Sequence, residues 1–129
     1  MAIKPESNAL IVIVANKTLI DSQGAINNGG IKVVEALLKR GMKVVLVIQV
    51  SSDAMQQDYA KKLTGAISEL PAKNCIFCDS IDSIYSICRQ LEPKFVVDSF
   101  EKSYNETQKF FAGRYFLSKG NDLESFFAL

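Results

Sequence analysis

The side chains best placed to do chemistry are Asp79, Asp98, Ser99 and Lys119, each just after a short apolar run. A carboxylate, a hydroxyl and a lysine at the ends of neighbouring strands are parts of a phosphoacceptor site, where a lysine and a divalent cation offset the charge of the transferred phosphoryl group. That chemistry needs an acidic pair after the first strand to hold the cation. Asn16-Lys17 stands there instead, and Lys17 would repel the metal. A haloacid-type phosphatase fails at the same place: it needs a nucleophilic aspartate directly after the first strand, and the nearest acid, Asp21, lies well into the loop. The plainer reading makes Asp79 a helix cap and Asp98 a turn residue.

Other constellations are weaker. Gly24, Gly29 and Gly30 fall between the first apolar run and the first helical pattern, but neither G-x-G-x-x-G nor a G-K-[ST] ending is present. Asn27-Asn28-Gly29-Gly30 reads better as a turn into the helix. Cys75 and Cys78 have metal-ligand spacing on paper, yet side chains three apart on a strand point to opposite faces, so buried thiols are the better reading. Histidine is absent, which removes the commonest general base and metal ligand. Tyr85 stands out differently. It sits at the edge of an apolar helical stripe, beside the outward-facing Asp82, Ser86 and Arg89, and Tyr with Arg among small polar residues is typical of interfaces. A boundary tyrosine with its hydroxyl in water explains it equally well.

The elements that must position these residues read as five βα units. Ala9–Ala15 and Lys43–Val50 are apolar on both faces, as central strands of a parallel sheet are. Cys75–Cys78, Lys94–Val97 and Arg114–Leu117 are the remaining strands. Between them lie a long loop, Asn16–Gly30, and helices over Gly30–Arg40, Asp53–Leu70, 81–91 and Tyr104–Ala112, with a short one from Asn121. Asp53, then Asp79 or Ser80, and a Ser103/Glu106 capping box are the expected starts of the second, third and fourth helices. Right-handed crossovers place helices on both faces. The expected fold is a Rossmann-like three-layer αβα sandwich around a five-stranded, mainly parallel sheet, with strand order 2-1-3-4-5.

At 129 residues, residues 9–129 make one domain and 1–8 an exposed, disordered start. A 48% apolar content supplies a core without staples. The net charge of +1 with no basic run does not imply nucleic acid or an acidic membrane, and no apolar run is long enough to cross a bilayer. Three cysteines among apolar neighbours fit a reducing compartment. A nucleotide-type fold without histidine, acid pair or phosphate loop suits a protein-binding surface.

The run CIFCDSIDSIYSICRQL, Cys75 to Leu91, continuing to Phe95-Val-Val-Asp-Ser99, resembles the soluble domain of the yeast peroxin-22 family of peroxisome assembly proteins. The shared pattern is an apolar strand ending in Cys-Asp-Ser, then a small helix with an aromatic-Ser step and an Arg ahead of a closing Leu. The resemblance implies a non-catalytic adaptor without cofactor or metal. Family members bind the peroxisomal ubiquitin-conjugating enzyme, here expected as a one-to-one complex, hold it at the peroxisomal membrane and enhance its activity in recycling the import receptor. Their domain faces the cytosol, anchored by an N-terminal transmembrane segment that this chain lacks. Surface composition, with the location of the match, puts the partner-binding patch at Asp79, Ser80, Asp82, Tyr85, Ser86, Arg89, Asp98 and Ser99. The alternative is a flavodoxin-like or receiver-like domain that binds a small molecule or phosphate at Asn16, Asp79 and Asp98.

Overall fold

The computed structural model describes residues 3–129. Its strands are Leu10–Val14 (β1), Lys43–Gln49 (β2), Cys75–Cys78 (β3), Phe95–Asp98 (β4) and Tyr115–Leu117 (β5). Its α-helices are Asn28–Lys39 (α1), Asp53–Ala66 (α2), Ser83–Leu91 (α3) and Glu101–Thr107 (α4), with a 3₁₀ turn at Gln108–Phe110 and another at Leu123–Phe126. The strands form one parallel sheet in the order β3-β2-β1-β4-β5, with α-helices on both faces. The α/β Rossmann-like class therefore holds. None of the described helices is long and apolar enough to span a membrane.

Side-chain alternation builds the two core layers. Ile11 and Ile13 of β1 point with Leu46 and Ile48 of β2 toward α1 and α2, where they meet Val34, Leu37, Tyr59 and Leu63. Val12 and Val14 point the other way, with Val45 and Val47, onto Ile84 and Cys88 of α3. Because both faces of β1 are covered, Ile11 through Ala15 are fully buried.

The expected strand order 2-1-3-4-5 is corrected to 3-2-1-4-5. The reason lies in α3. Its apolar stripe packs on the sheet face opposite α1 and α2, so the chain leaving β3 passes over β2 and β1 and sets β4 against β1. The topological switch point, where ligands usually bind in this fold class, thus falls between the carboxyl ends of β1 and β4.

Local chemistry shifts the element ends. Ser52, not Asp53, caps α2, its hydroxyl accepting from Met55 N–H at 3.1 Å. Neither Asp79 nor Ser80 caps α3; the Ser80 hydroxyl instead accepts from Asp82 N–H in the turn before it. Of the start expected to be exposed over 1–8, Lys4, Glu6, Ser7 and Asn8 are exposed, and Ile3 is the exception. Ile3 is buried and bridges to Phe127, donating to Phe126 O and accepting from Ala128 N–H. Residues 1 and 2 lie outside the described residues.

Candidate functional site

At the switch point the chain satisfies most of its own polar groups, the buried Ser99 hydroxyl being left without a hydrogen-bond partner among the described residues. The Asn16 side chain lengthens the β1–β2 ladder: Nδ2 donates to Gln49 O at 3.0 Å and Oδ1 accepts from Gln49 N–H at 2.8 Å. Lys17, in the left-handed region at φ 72°, reaches from the end of β1 to the end of β4. Its ammonium donates to Ser99 O at 3.4 Å and lies 5.2 Å from the Phe100 ring centre. The loop behind it packs against the body, with Thr18, Leu19 and Ile20 buried and Lys62 of α2 donating to Gly24 O at 2.6 Å.

The start of α1, where a phosphate would be cradled, is capped by Asn27, whose Oδ1 accepts from Gly29 N–H. The Asn27 Nδ2 donates to Thr18 O. Gly30 is obligatory for this packing, since a Cβ there would stand 2.1 Å from Thr18 O. A hollow of about 700 Å³ remains outside, lined by Lys17, Asp21, Asn27, Asn28 and Lys119.

Asp98 is corrected from a partner contact to an internal anchor, because it is fully buried. Oδ1 accepts the N–H groups of Ser99 at 2.7 Å and Phe100 at 3.0 Å, which lead into α4. Oδ2 accepts the hydroxyls of Ser103 and Tyr115. Ser103 is therefore spent on Asp98, and the expected Ser103/Glu106 capping box does not form; α4 begins earlier, at Glu101. Burial, and then the adjacent Asp98 carboxylate, push the Tyr115 phenol well above its ordinary range and the Cys88 thiol up to about 12. Ser99 is 4% exposed and likewise leaves the expected patch.

At the far edge of the sheet, Cys75 packs with the α1–α2 layer and Cys78 with the α3 layer, so the two thiols cannot grip one ion. Burial raises both thiols above their ordinary range. Beyond β2 and β3 lies a hollow of about 660 Å³ whose polar lining includes Ser51, Ser52, Asp53, Asp79 and Ser83. Among the described residues no group of His, Cys, Asp or Glu is arranged to hold a metal ion.

The outer face of α3 is built differently. Arg89 donates from Nη1 to the Tyr85 hydroxyl at 2.7 Å, one helical turn back, with its guanidinium 5.6 Å from the Tyr85 ring centre. Across the groove to α4 stands Phe110. Its ring lies 5.3 Å from that of Tyr85, and the Arg89 guanidinium is 5.6 Å from its centre. Phe110 is 48% exposed, and Phe111 beside it only 5%. The 3₁₀ turn presents one ring outward and buries the other between Tyr115 and Arg114. Shallow hollows flank Phe110, one lined by Asp82, Tyr85, Glu106 and Lys109, the other by Arg89, Glu92 and Arg114.

Of the residues expected in the patch, the structure brings Asp82, Tyr85 and Arg89 to this face. Asp82 pairs with Lys102 of α4 at 2.9 Å. Ser86 is exposed on the same helix. Asp79 and Ser80 sit at the strand-end side of α3 instead, where Gln49 Nε2 donates to Asp79 O. Phe110 was missed. The Phe110-Phe111 pair does not by itself say which ring faces out, because adjacent helical positions can share one core, as Val33 and Val34 of α1 do.

No family model matches the chain, and no curated protein matches it. Among solved structures it is similar in fold to PH1313 from Pyrococcus horikoshii, with a TM-score of 0.48 and 16% identity over 92% of this chain. The chain spans 37% of the length of that structure.

Proposed function

We propose that this chain is a non-catalytic protein-binding domain that docks its partner on the α3–α4 face. The observation that carries the reading is the surface cluster of exposed Arg89 and Phe110 with half-buried Tyr85. Aromatic and arginine side chains are enriched at binding hot spots, because they offer large contact area with few rotors to freeze. Here the rotors are already held: Arg89 is stacked on both rings and hydrogen-bonded to one of them. Little ordering entropy is left for the partner to offset.

The peroxin-22-like run, which includes Tyr85 and Arg89, supplies the candidate partner, the peroxisomal ubiquitin-conjugating enzyme. On this reading the domain acts as an adaptor in recycling of the peroxisomal import receptor, on the cytosolic side of the peroxisomal membrane. Holding the enzyme there raises its concentration near its substrates. It enhances activity only insofar as the enzyme's active conformation binds the domain more tightly. Titration calorimetry of the chain against that enzyme, with an unrelated conjugating enzyme as control, tests the reading. Selective one-to-one binding is expected; absence of heat with both proteins folded discards this partner.

A second reading is a small-molecule or phosphate-binding domain, and the hollow beyond β2 and β3 favours it. That hollow lies beyond strand carboxyl ends, where ligands of open α/β sheets bind, and its 660 Å³ falls within the usual range of ligand sites. Resonance shifts at Ser51, Ser52 and Asp79 on titration with nucleotides, flavin or Mg²⁺ would establish it.

A further inference from the structure

We infer that the hollow between Arg89 and Arg114 is a carboxylate pocket, in which the docking partner seats an aspartate or glutamate side chain while an apolar neighbour covers Phe110. The inference rests on the α3–α4 face being the docking face, and it names the chemistry the partner must bring.

The hollow has a volume of about 320 Å³ and is walled by Phe110, Phe111 and Pro93, with Cys88 at its base. That volume is at the bottom of the roughly 300–1,000 Å³ span of small-molecule sites, and suits one inserted side chain better than a cofactor. Arg89 and Arg114 line it against a single acid, Glu92. The ion pairs among the described residues are Lys62–Asp58, Lys94–Glu6 and Lys102–Asp82, so neither guanidinium has a carboxylate within bonding range. Glu92 ends α3 in the left-handed conformation, φ 48°, and is exposed.

Both guanidiniums are held in place by neutral groups. Arg114 donates from Nη1 to Pro93 O and Lys94 O, each at 3.1 Å, and stacks 5.6 Å from the Phe111 ring centre. Arg89 is fixed by the Tyr85 hydroxyl and by the Phe110 ring. These bonds use one nitrogen of each fork and leave donors for a carboxylate, the anion whose geometry a guanidinium matches best. A surplus of positive charge, fixed donors and an exposed ring alongside together select an acidic residue next to an apolar one.

The test uses two blocked dipeptides, N-acetyl-leucyl-glutamate amide and its leucyl-glutamine analogue, titrated into the labelled chain while the arginine Nε–H resonances are followed. The expected result is saturable shifts of Arg89 and Arg114, with the glutamate peptide bound about tenfold more tightly than the glutamine one and the preference falling as salt rises. Arg89→Gln should abolish that preference; its side chain touches only the exposed cluster, and the fold is checked by the unchanged amide spectrum. Equal affinities, no saturable shift, or shifts away from these arginines would overturn the inference. The arms separate it from the broader reading. A conjugating enzyme that binds this face without any dipeptide preference removes the pocket and leaves the docking face. A dipeptide preference without enzyme binding leaves the pocket and removes that partner.

Discussion

The crevice between β1 and β4 and the outer face of α3 are alternative places for this domain to bind something, and they are built on opposite principles. In the crevice, most polar groups that a ligand would use are engaged by the chain itself, the buried Ser99 hydroxyl excepted. Asn16 is bonded to Gln49, Lys17 to Ser99 O, and Asp98 to Ser99, Phe100, Ser103 and Tyr115. On α3 the opposite holds: a large ring stands out of the core, and neither of the two guanidiniums beside it is in an ion pair among the described residues. On the proposed reading, the crevice carries stability and the α3 face carries recognition. Variants of the first should move folding, and variants of the second should move binding.

The largest effect expected is on the buried side, in alkali. Cys88 sits beneath Asp98 with its thiol raised from an ordinary value of 9.0 to about 12. Between those values the unfolded chain has released the proton and the folded chain has not, so the folded state binds more protons and stability falls as pH rises. The contribution is intact below about pH 9 and is lost by about pH 12; the shift corresponds to about 4 kcal/mol at the top of that window. Tyr115, raised for the same reasons, acts in the same direction. Urea unfolding across this window should show Cys88→Ala losing less stability than the parent chain. An identical decline in both would mean that the thiol is not desolvated.

Next comes Asp98→Ala, which leaves the hydroxyls of Ser103 and Tyr115 and the N–H groups of Ser99 and Phe100 without their acceptor. A loss of about 3 kcal/mol is expected in urea unfolding, as for a buried charged acceptor removed from its donors. Gly30→Ala drives a methyl into Thr18 O and should cost about 2 kcal/mol by overpacking, measured the same way. Wild-type stability in either variant would show that the crevice is looser than described.

The smallest effects on folding, and the sharpest on the comparison, belong to the α3 face. Phe110→Ala and Tyr85→Ala should each weaken partner binding by about 1–3 kcal/mol in calorimetry. Phe110→Ala should cost about 1 kcal/mol of stability, for the half of the ring packed on Tyr85 and Arg89, and leave the domain folded. If Phe110→Ala unfolds the domain instead, the ring is core and the proposed division of labour fails.

What could be read from the sequence follows from how local each determinant is. The doubly apolar runs around Leu10–Val14 and Lys43–Gln49 announce covered central strands by themselves, and the α/β class follows from them. Strand order does not, because the stripe of Ile84 and Cys88 suits either face of a sheet; only its packing onto Val12 and Val14 sends β4 to the far side of β1. Tyr85 and Arg89 were legible because they are one helical turn apart. Phe110 joins them only through the packing of α4 beside α3. Asp98 was misplaced for the same reason. An aspartate after a strand looks like a turn residue until Tyr115, from the next strand, is seen to donate to it.

The most direct test of the account is amide chemical-shift mapping of the labelled chain on addition of the peroxisomal ubiquitin-conjugating enzyme. Saturable shifts are expected at Asp82, Tyr85, Arg89, Phe110 and Arg114, with Lys17, Asn27 and Gly120 unmoved. Shifts concentrated at those last residues, or at Ser51, Ser52 and Asp79, would contradict it and return the strand-end hollows to first place, and a spectrum that does not change would remove the partner.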